Sequence, residues 1–578
     1  MAFEVSPSNS SEDEDITFSP LQAICEKISE FPLIRGDLEN TIANFAFIQT
    51  LSEMKGSNHK IDGFFKPINL QLVKDEKIPS STVADVLDNR LKILAAVNHI
   101  MNEGPRRMFT YGITIEEDDI TFSKSRHFGF FADPKTFVSV LLSFILATET
   151  ELGFDPTISR LSPVSYVYQV SDRFFKTIRM ISEYQPLCIA DRMTRVWEAV
   201  EVASFIDPTP KRDARSIALK DVWLDASGQT EKEIQAALFS DLEEFRQVIE
   251  SKDPEQFTNF TEEMKAEIRD CLKGEVYKKH FLNIECDYQG KIRRQSRHRL
   301  TSLVPAAEPS SHLQPTTPAS PALSRKYAPK QQYRVVFKQS AASTALQLLY
   351  CAGWLHRDIS SGNLLWFDSG DGNLQMVLGD LEYAKRFRAG IGSPDSKTGT
   401  SYFMPYEVHE GLHLYLSQPR QPMVPIQEFV LFKQQQVPPI FVRHSFQHGL
   451  ESLWWVQLWC VIERINETSL QYANKIFQTT YRPSTDRQDA FLVPGILATN
   501  LKTSLPPDMH RMLIGTEHER IVLVDHYIRR EQENKLEDIA SYSETYAVFH
   551  DDQSYLKEIC PAMLLAPIRQ VILVQTPS

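Results

Sequence analysis

One short stretch, Leu355-His356-Arg357-Asp358-Ile359-Ser360-Ser361-Gly362-Asn363-Leu364-Leu365, concentrates residue types that can do chemistry. Its spacing is H-R-D-x-x-x-x-N, and the apolar pair on its far side reads as the start of a short strand. Phosphoryl transfer is mostly positioning and charge neutralisation, so it needs a carboxylate beside the attacking hydroxyl and an amide oxygen beside a metal ion. The five-residue step from Asp358 to Asn363 can put both on one loop. The competing reading is a surface loop whose Asp and Asn only cap turns. A second carboxylate bears on the choice: the apolar run Met376-Val377-Leu378-Gly379 leads into Asp380, seventeen residues after Asn363.

The first block matches a protein-kinase catalytic loop, and Asp380 stands where a kinase keeps its second metal-binding carboxylate, with Leu381-Glu382 in place of the usual Phe-Gly. Thr398-Gly399-Thr400-Ser401-Tyr402-Phe403-Met404-Pro405-Tyr406-Glu407 resembles the end of an activation segment, in which Glu407 would pair with a buried Arg. With His448-Gly449-Leu450-Glu451-Ser452-Leu453-Trp454-Trp455 downstream, the chain is similar to the fungal-type protein kinase family, divergent eukaryotic-type kinases acting on Ser or Thr. The likeness runs back through Gly153-Phe154-Asp155-Pro156-Thr157-Ile158 and Ala218-Leu219-Lys220-Asp221-Val222-Trp223, covering the greater part of the chain.

The resemblance implies an α+β, bilobal fold: a small lobe with an antiparallel sheet and a large, mostly helical lobe, here preceded by a mostly helical amino-terminal region. It implies ATP and Mg²⁺ as cofactors and a protein substrate as partner. Asp358, with Arg357 and His356 beside it, would be catalytic; Asn363 and Asp380 would hold the metal. Lys220 would pair with the α and β phosphates, held by Glu233 on the following helix, with Glu231 the close alternative. A lone Lys after three apolar residues also fits a snorkelling strand end. Arg357 would receive a regulatory phosphate on Ser393, Ser396, Thr398 or Thr400.

The elements that must position these residues fall into an expected order. Residues 1–20 form an acidic tail around Glu12-Asp13-Glu14-Asp15. Residues 21–158 read as mostly helix, on the spacing of Val86, Leu87, Leu91, Leu94 and Val97, with a strand over Arg106 to Ile115 and an acidic turn at Glu116-Glu117-Asp118-Asp119. Phe137 to Ala147 reads as a buried helix. The small lobe takes 159–290, with strands over Tyr166–Val170 and Arg195–Val200 and a helix starting near Thr230. A basic, then Pro- and Ser-rich linker takes 291–330, and its run Lys291 to Arg299 fits either a solvated linker or a nuclear-import address. The large lobe takes 331–492, and 493–578 is an extension whose role the residues do not disclose.

Composition narrows the partners. The 578 residues are 42% hydrophobic and carry a net charge of -13, which supports a sizeable core and disfavours nucleic acid or an anionic membrane. No apolar run reaches the roughly 20 residues of a membrane span, and no secretory leader opens the chain, so the expected location is intracellular, cytoplasmic or nuclear. The seven cysteines show no C-x-x-C pair, which fits reduced thiols.

Three departures from the family pattern bear on activity. The hairpin loop over Leu187 to Thr194 has no glycine to let backbone approach phosphate closely. Only seventeen residues separate Lys338 from His356, fewer than the hinge and helix of a kinase need. Gly449 replaces an Asp that would accept backbone hydrogen bonds from the catalytic loop, a loss of about 1 to 3 kcal/mol in loop rigidity. These departures support an alternative, a catalytically impaired pseudokinase acting as a binding or scaffold protein. A further alternative is a small-molecule kinase of the aminoglycoside or choline type, which shares D-x-x-x-x-N but lacks the segment ending at Glu407.

Overall fold

The structure, a computed structural model, describes residues 20–29, 33–35, 38–41, 45–49, 63–67, 101, 104–111, 113–116, 119–122, 128–129, 133–184, 193–212, 214–291, 329–338, 344–368, 374–387, 399–415, 442–463, 465–479 and 482–559. The chain divides into two units. One comprises Met1–Gly228 and Glu285–Val336, the other Gln229–Ile284 and Phe337–Ser578.

The first unit opens with helix α1 (Pro20–Ser29) and the short strands β1 (Leu33–Arg35), β2 (Leu38–Thr41), β3 (Phe45–Gln49) and β4 (Gly63–Pro67). Mostly helix was expected in this region. The described part is one helix and four strands, and the spaced residues Val86 to Val97 lie outside the described residues. The strand expected over Arg106 to Ile115 begins only at β5 (Ile113–Glu116), which pairs with β6 (Asp119–Phe122), itself paired with β7 (Phe128–Gly129). Residues 104–111 stay irregular because their arginines have other partners. The Arg107 guanidinium lies 3.7 Å from the Phe154 ring centroid and donates to the Leu152 carbonyl, and Arg106 pairs with Glu149. Helix α2 (Pro134–Ile145) forms as expected, with Asp133 capping Thr136 N and Pro at the first turn.

The rest of this unit is a seven-stranded sheet. Its strands are β8 (Ile158–Ser162), β9 (Ser165–Val170), β10 (Arg173–Tyr184), β11 (Thr194–Val202), β12 (Ser216–Asp225), β13 (Asn283–Gln289) and β14 (Lys330–Lys338), in the spatial order 13-14-12-11-10-9-8. Strands β8 to β12 are successive antiparallel neighbours. One face packs Tyr166, Tyr168, Phe175, Trp197, Ile217, Leu219 and Val336 into a core. Strand alternation then puts Lys220 on the opposite face from Leu219 and Asp221.

Arg334, wholly buried in β14, fixes the sheet to the turn before β8. It pairs with Asp155, donates to Thr157 Oγ1 (2.6 Å) and the Gln169 carbonyl (3.2 Å), and lies 3.5 Å from Asp221. The Phe154-Asp155-Pro156-Thr157 sequence is thus an acceptor set for one guanidinium.

The second unit begins with α3 (Glu231–Ser251) and α4 (Glu262–Leu272), which were expected with the strands. Their buried faces, Ile234, Leu238, Leu242, Phe245, Met264 and Ile268, join one large core with Leu348, Trp354, Trp454 and Leu458. After α5 (Ala345–Cys351) come β15 (Trp354–Leu355), β16 (Leu364–Asp368), β17 (Leu374–Leu378), β18 (Lys385–Arg386) and α6 (Tyr406–Glu410). The remaining helices are α7 (Phe446–Ile462), α8 (Glu467–Ile476), α9 (Thr485–Leu492), α10 (Ile496–Leu501), α11 (His510–Gln532) and α12 (Ser543–Ile559). Residues past 492 carry core side chains, Leu513, Leu523, Tyr527, Tyr546 and Phe549 among them, and the Trp454 indole of α7 donates to the Thr516 carbonyl. The apolar end Val571 to Gln575 lies outside the described residues.

Two outcomes follow from these buried charges. Arg334→Met leaves Asp155 and Asp221 buried without their cation and should cost about 3 to 5 kcal/mol in urea denaturation. In α11, burial pushes the Glu519 carboxyl up to about 8 against the hydrogen bond that it accepts from Gln553. A carboxyl with a raised folded value stabilises fully below its unfolded value near 4.5, and loses that contribution as pH rises through 8. Glu519→Gln should therefore remove a downward slope of stability with pH, up to about 1.4 kcal/mol per unit, in denaturation series across that window.

Candidate active site

The loop of residues 356–363 lies between β15 and β16, and residues 379–384 lie between β17 and β18. Strand β15 pairs with β18 (Trp354↔Arg386, Leu355↔Lys385), and β16 pairs with β17 (Leu364↔Leu378). Each loop is therefore clamped at both ends to the ends of the other. Two bonds between the loops follow from this: Gly379 N donates to the Asn363 carbonyl at 2.8 Å, and His356 Nε2 donates to the Gly379 carbonyl at 2.9 Å.

Both ring nitrogens of His356 are committed to backbone, because Nδ1 accepts from Asp358 N at 3.3 Å. Burial holds this ring below its usual basicity, against the pull of Asp358 and Asp380. His356, expected among the catalytic residues, is a positioning residue here. Arg357 is half-buried with a left-handed backbone, φ 72°.

Asn363 donates from Nδ2 to the Asp358 carbonyl at 2.8 Å, which orients its amide. One Asp358 oxygen, Oδ1, accepts from Thr400 N (2.9 Å) and Thr400 Oγ1 (3.1 Å). Thr400, read from sequence as a phosphate acceptor, thus spends its hydroxyl on Asp358. Ser393, Ser396 and Thr398 lie outside the described residues. Gly399 makes the approach possible: its φ is +114°, and an added Cβ would sit 3.1 Å from the Arg357 carbonyl oxygen. Burial raises the Asp358 carboxyl, and the nearby Asp380 charge raises it further, against the Thr400 bonds and His356. Asp380 has a left-handed backbone, φ 57°.

Two acidic side chains and an amide oxygen on facing loops are the hard donors that Mg²⁺ takes.

On α3, Thr230 and Glu233 form a capping box: the Glu233 carboxylate accepts from Thr230 N at 2.8 Å and is exposed. Glu231 is the buried acid of this turn, and its Oε1 accepts from Leu381 N at 2.9 Å, one residue past Asp380. Lys220 is buried in β12 of the first unit, opposite Val196 of β11. The loop over 185–192 lies outside the described residues.

The fungal protein kinase family matches residues 71–461. The chain belongs to that family. None of the curated proteins matches it. Among solved structures the kinase is similar to "ROP18 kinase domain in complex with AMP-PNP and sucrose", at 12% identity and a TM-score of 0.26, over 66% of this chain and 83% of that one.

The supports around loop 356–363 differ from those expected. The expected Arg partner of Glu407 is replaced by His413 Nδ1 and His448 Nε2, at 3.2 and 3.3 Å from Glu407 Oε2. The buried Arg487 of α9 instead donates to the Tyr402 and Met404 carbonyls, at 2.6 and 2.8 Å, and lies 3.9 Å from the Trp455 ring centroid. Glu451 of α7 receives three bonds: Tyr406 N, the Trp455 indole and the Tyr527 hydroxyl all donate to it.

At Gly449 the missing side chain leaves space. A cavity of about 20 Å³, room for one water, is lined by His356, Arg357, His444, His448 and Gly449. A Cβ built on Gly449 meets nothing nearer than Leu346 Cδ2 at 3.9 Å. Since Gly449 lies within α7, Gly449→Ala should raise stability by about 0.5 to 1 kcal/mol in denaturation.

Proposed function

We propose that this protein is an ATP- and Mg²⁺-dependent kinase that moves the γ-phosphoryl group to Ser or Thr hydroxyls of a protein substrate. The reading is carried by the joint placement of Asp358, Asn363 and Asp380 on two loops clamped to each other. In it, Asp358 orients the substrate hydroxyl and takes its proton as the new O–P bond forms and the bond to ADP breaks. Asn363 and Asp380 supply oxygen donors for Mg²⁺, which neutralises charge on the phosphates when bound. His356 and Thr400 hold Asp358 in place. Lys220, in its Ala218-Leu219-Lys220 strand, is the residue for the α and β phosphates, and Glu231 is the acid of α3 in preference to Glu233. The docking of Gly399-Thr400 on Asp358 favours a peptide over a metabolite, since it brings the segment before Glu407 to the attacking position.

The cavity beside Gly449 favours a second reading, a pseudokinase that binds nucleotide without turnover. One experiment separates the two. Transfer from γ-labelled ATP to Ser/Thr peptides is measured for the full chain and for Asp358→Asn, beside the thermal shift with Mg²⁺ and ATP. The kinase should lose about 10²- to 10⁴-fold in transfer on substitution. Equal background rates with a retained nucleotide shift would leave only the binding role.

A further inference from the structure

Below the catalytic loop, in the helical unit, four titratable side chains meet at a place that the phosphoryl-transfer reading does not use. Glu407 and Glu531 are 1% and 3% exposed, His448 is also buried, and His413 is partly buried. We propose that Glu407, His413 and Glu531 form a zinc site. One ligand atom from each lies within 4.8 Å of those of the other two. Tetrahedral zinc, with bonds of about 2.0 to 2.2 Å, spaces its ligand atoms about 3.3 Å apart, so small side-chain movements close the site.

The surroundings are built as a ligand shell. His413 is followed directly by two backbone donors: Leu414 N bonds Glu407 Oε1 at 2.8 Å, and Tyr415 N bonds Glu531 Oε2 at 2.7 Å. Each holds one oxygen of one carboxylate and orients the other. Glu407 Oε2 is where His413 Nδ1 and His448 Nε2 converge. His448 is itself oriented, since its Nδ1 accepts from Ser445 N at 2.9 Å. It donates from Nε2 and so stands as an outer partner of the Glu407 carboxylate.

Charge argues the same way. Two carboxylates taken out of water side by side need either a shared proton or a cation. The mixture of imidazole and carboxylate selects zinc over magnesium or calcium, which prefer all-oxygen shells. The ion would staple the Gly411 to Tyr415 strap to the end of α11, beneath the segment that docks on Asp358. This site is independent of whether the kinase turns over.

The test uses the full chain, stripped with a chelator, titrated with Zn²⁺ and desalted. Bound metal is counted by mass spectrometry, and the melting temperature is followed in parallel. Glu531→Gln is the deciding variant, because an amide keeps the shape and can still accept from Tyr415 N but is a poor zinc ligand. The wild-type chain should keep a single Zn²⁺ and melt higher. Glu531→Gln and His413→Ala should both weaken binding by more than the roughly 10- to 100-fold lost with an outer partner. No retained Zn²⁺ in the wild type, or wild-type binding in either variant, overturns the site. Should a variant fail to fold by circular dichroism, Co²⁺ in the intact chain decides. Strong visible ligand-field bands of a low-coordinate site support the proposal, and the weak spectrum of a six-coordinate ion overturns it.

Discussion

Two small antiparallel pairings, β15 with β18 and β16 with β17, are the constraint on which the catalytic geometry depends. They make two loops into mutual lids. Neither 356–363 nor 379–384 can shift along the chain without breaking register at both of its ends. That is how Asp358 and Asp380 stay close enough for like charge to raise Asp358, an arrangement that would otherwise relax apart. His356 completes the clamp, since its ring spans the turn from Asp358 N to the Gly379 carbonyl.

Beneath the loops the helical unit uses buried carboxylates as backbone and side-chain acceptors. Glu451 takes Tyr406 N, Trp455 and Tyr527, while Glu407 takes Leu414 N and two imidazoles. A buried acid with several donors is satisfied locally, and its removal leaves each donor without a partner. The segment from Tyr402 to Tyr415 is held through its main chain by Arg487, Glu451, Glu407 and Glu531.

Local spacing made much of this legible. The two facing loops that carry His356, Asp358, Asn363 and Asp380 were legible because each is set within a few residues of chain, and β9, β11 and α2 because their apolar residues match their burial. The acid on α3 was also within reach: Thr230 followed three residues later by Glu233 is a capping-box signature, which commits Glu233 to its own helix start and leaves Glu231 for the interior. The partner of Glu407 was not legible, because His413, His448 and Glu531 are brought together by packing of α6, α7 and α11. The core role of residues past 492 was hidden for the same reason. Helices buried on several faces show little amphipathic period, so α11 reads as polar and apolar residues without a clear stripe.

Helix α3 is moored to the helical unit at both its first turn and its middle. Glu231 takes Leu381 N, and Asp241 takes the Trp354 indole and a two-pronged contact from Arg386. The helix is therefore part of the floor that carries the catalytic loop. A force that lifted it would have to strip three polar anchors and expose an aliphatic face at the same moment, so control by swinging this helix outward is mechanically expensive in this kinase.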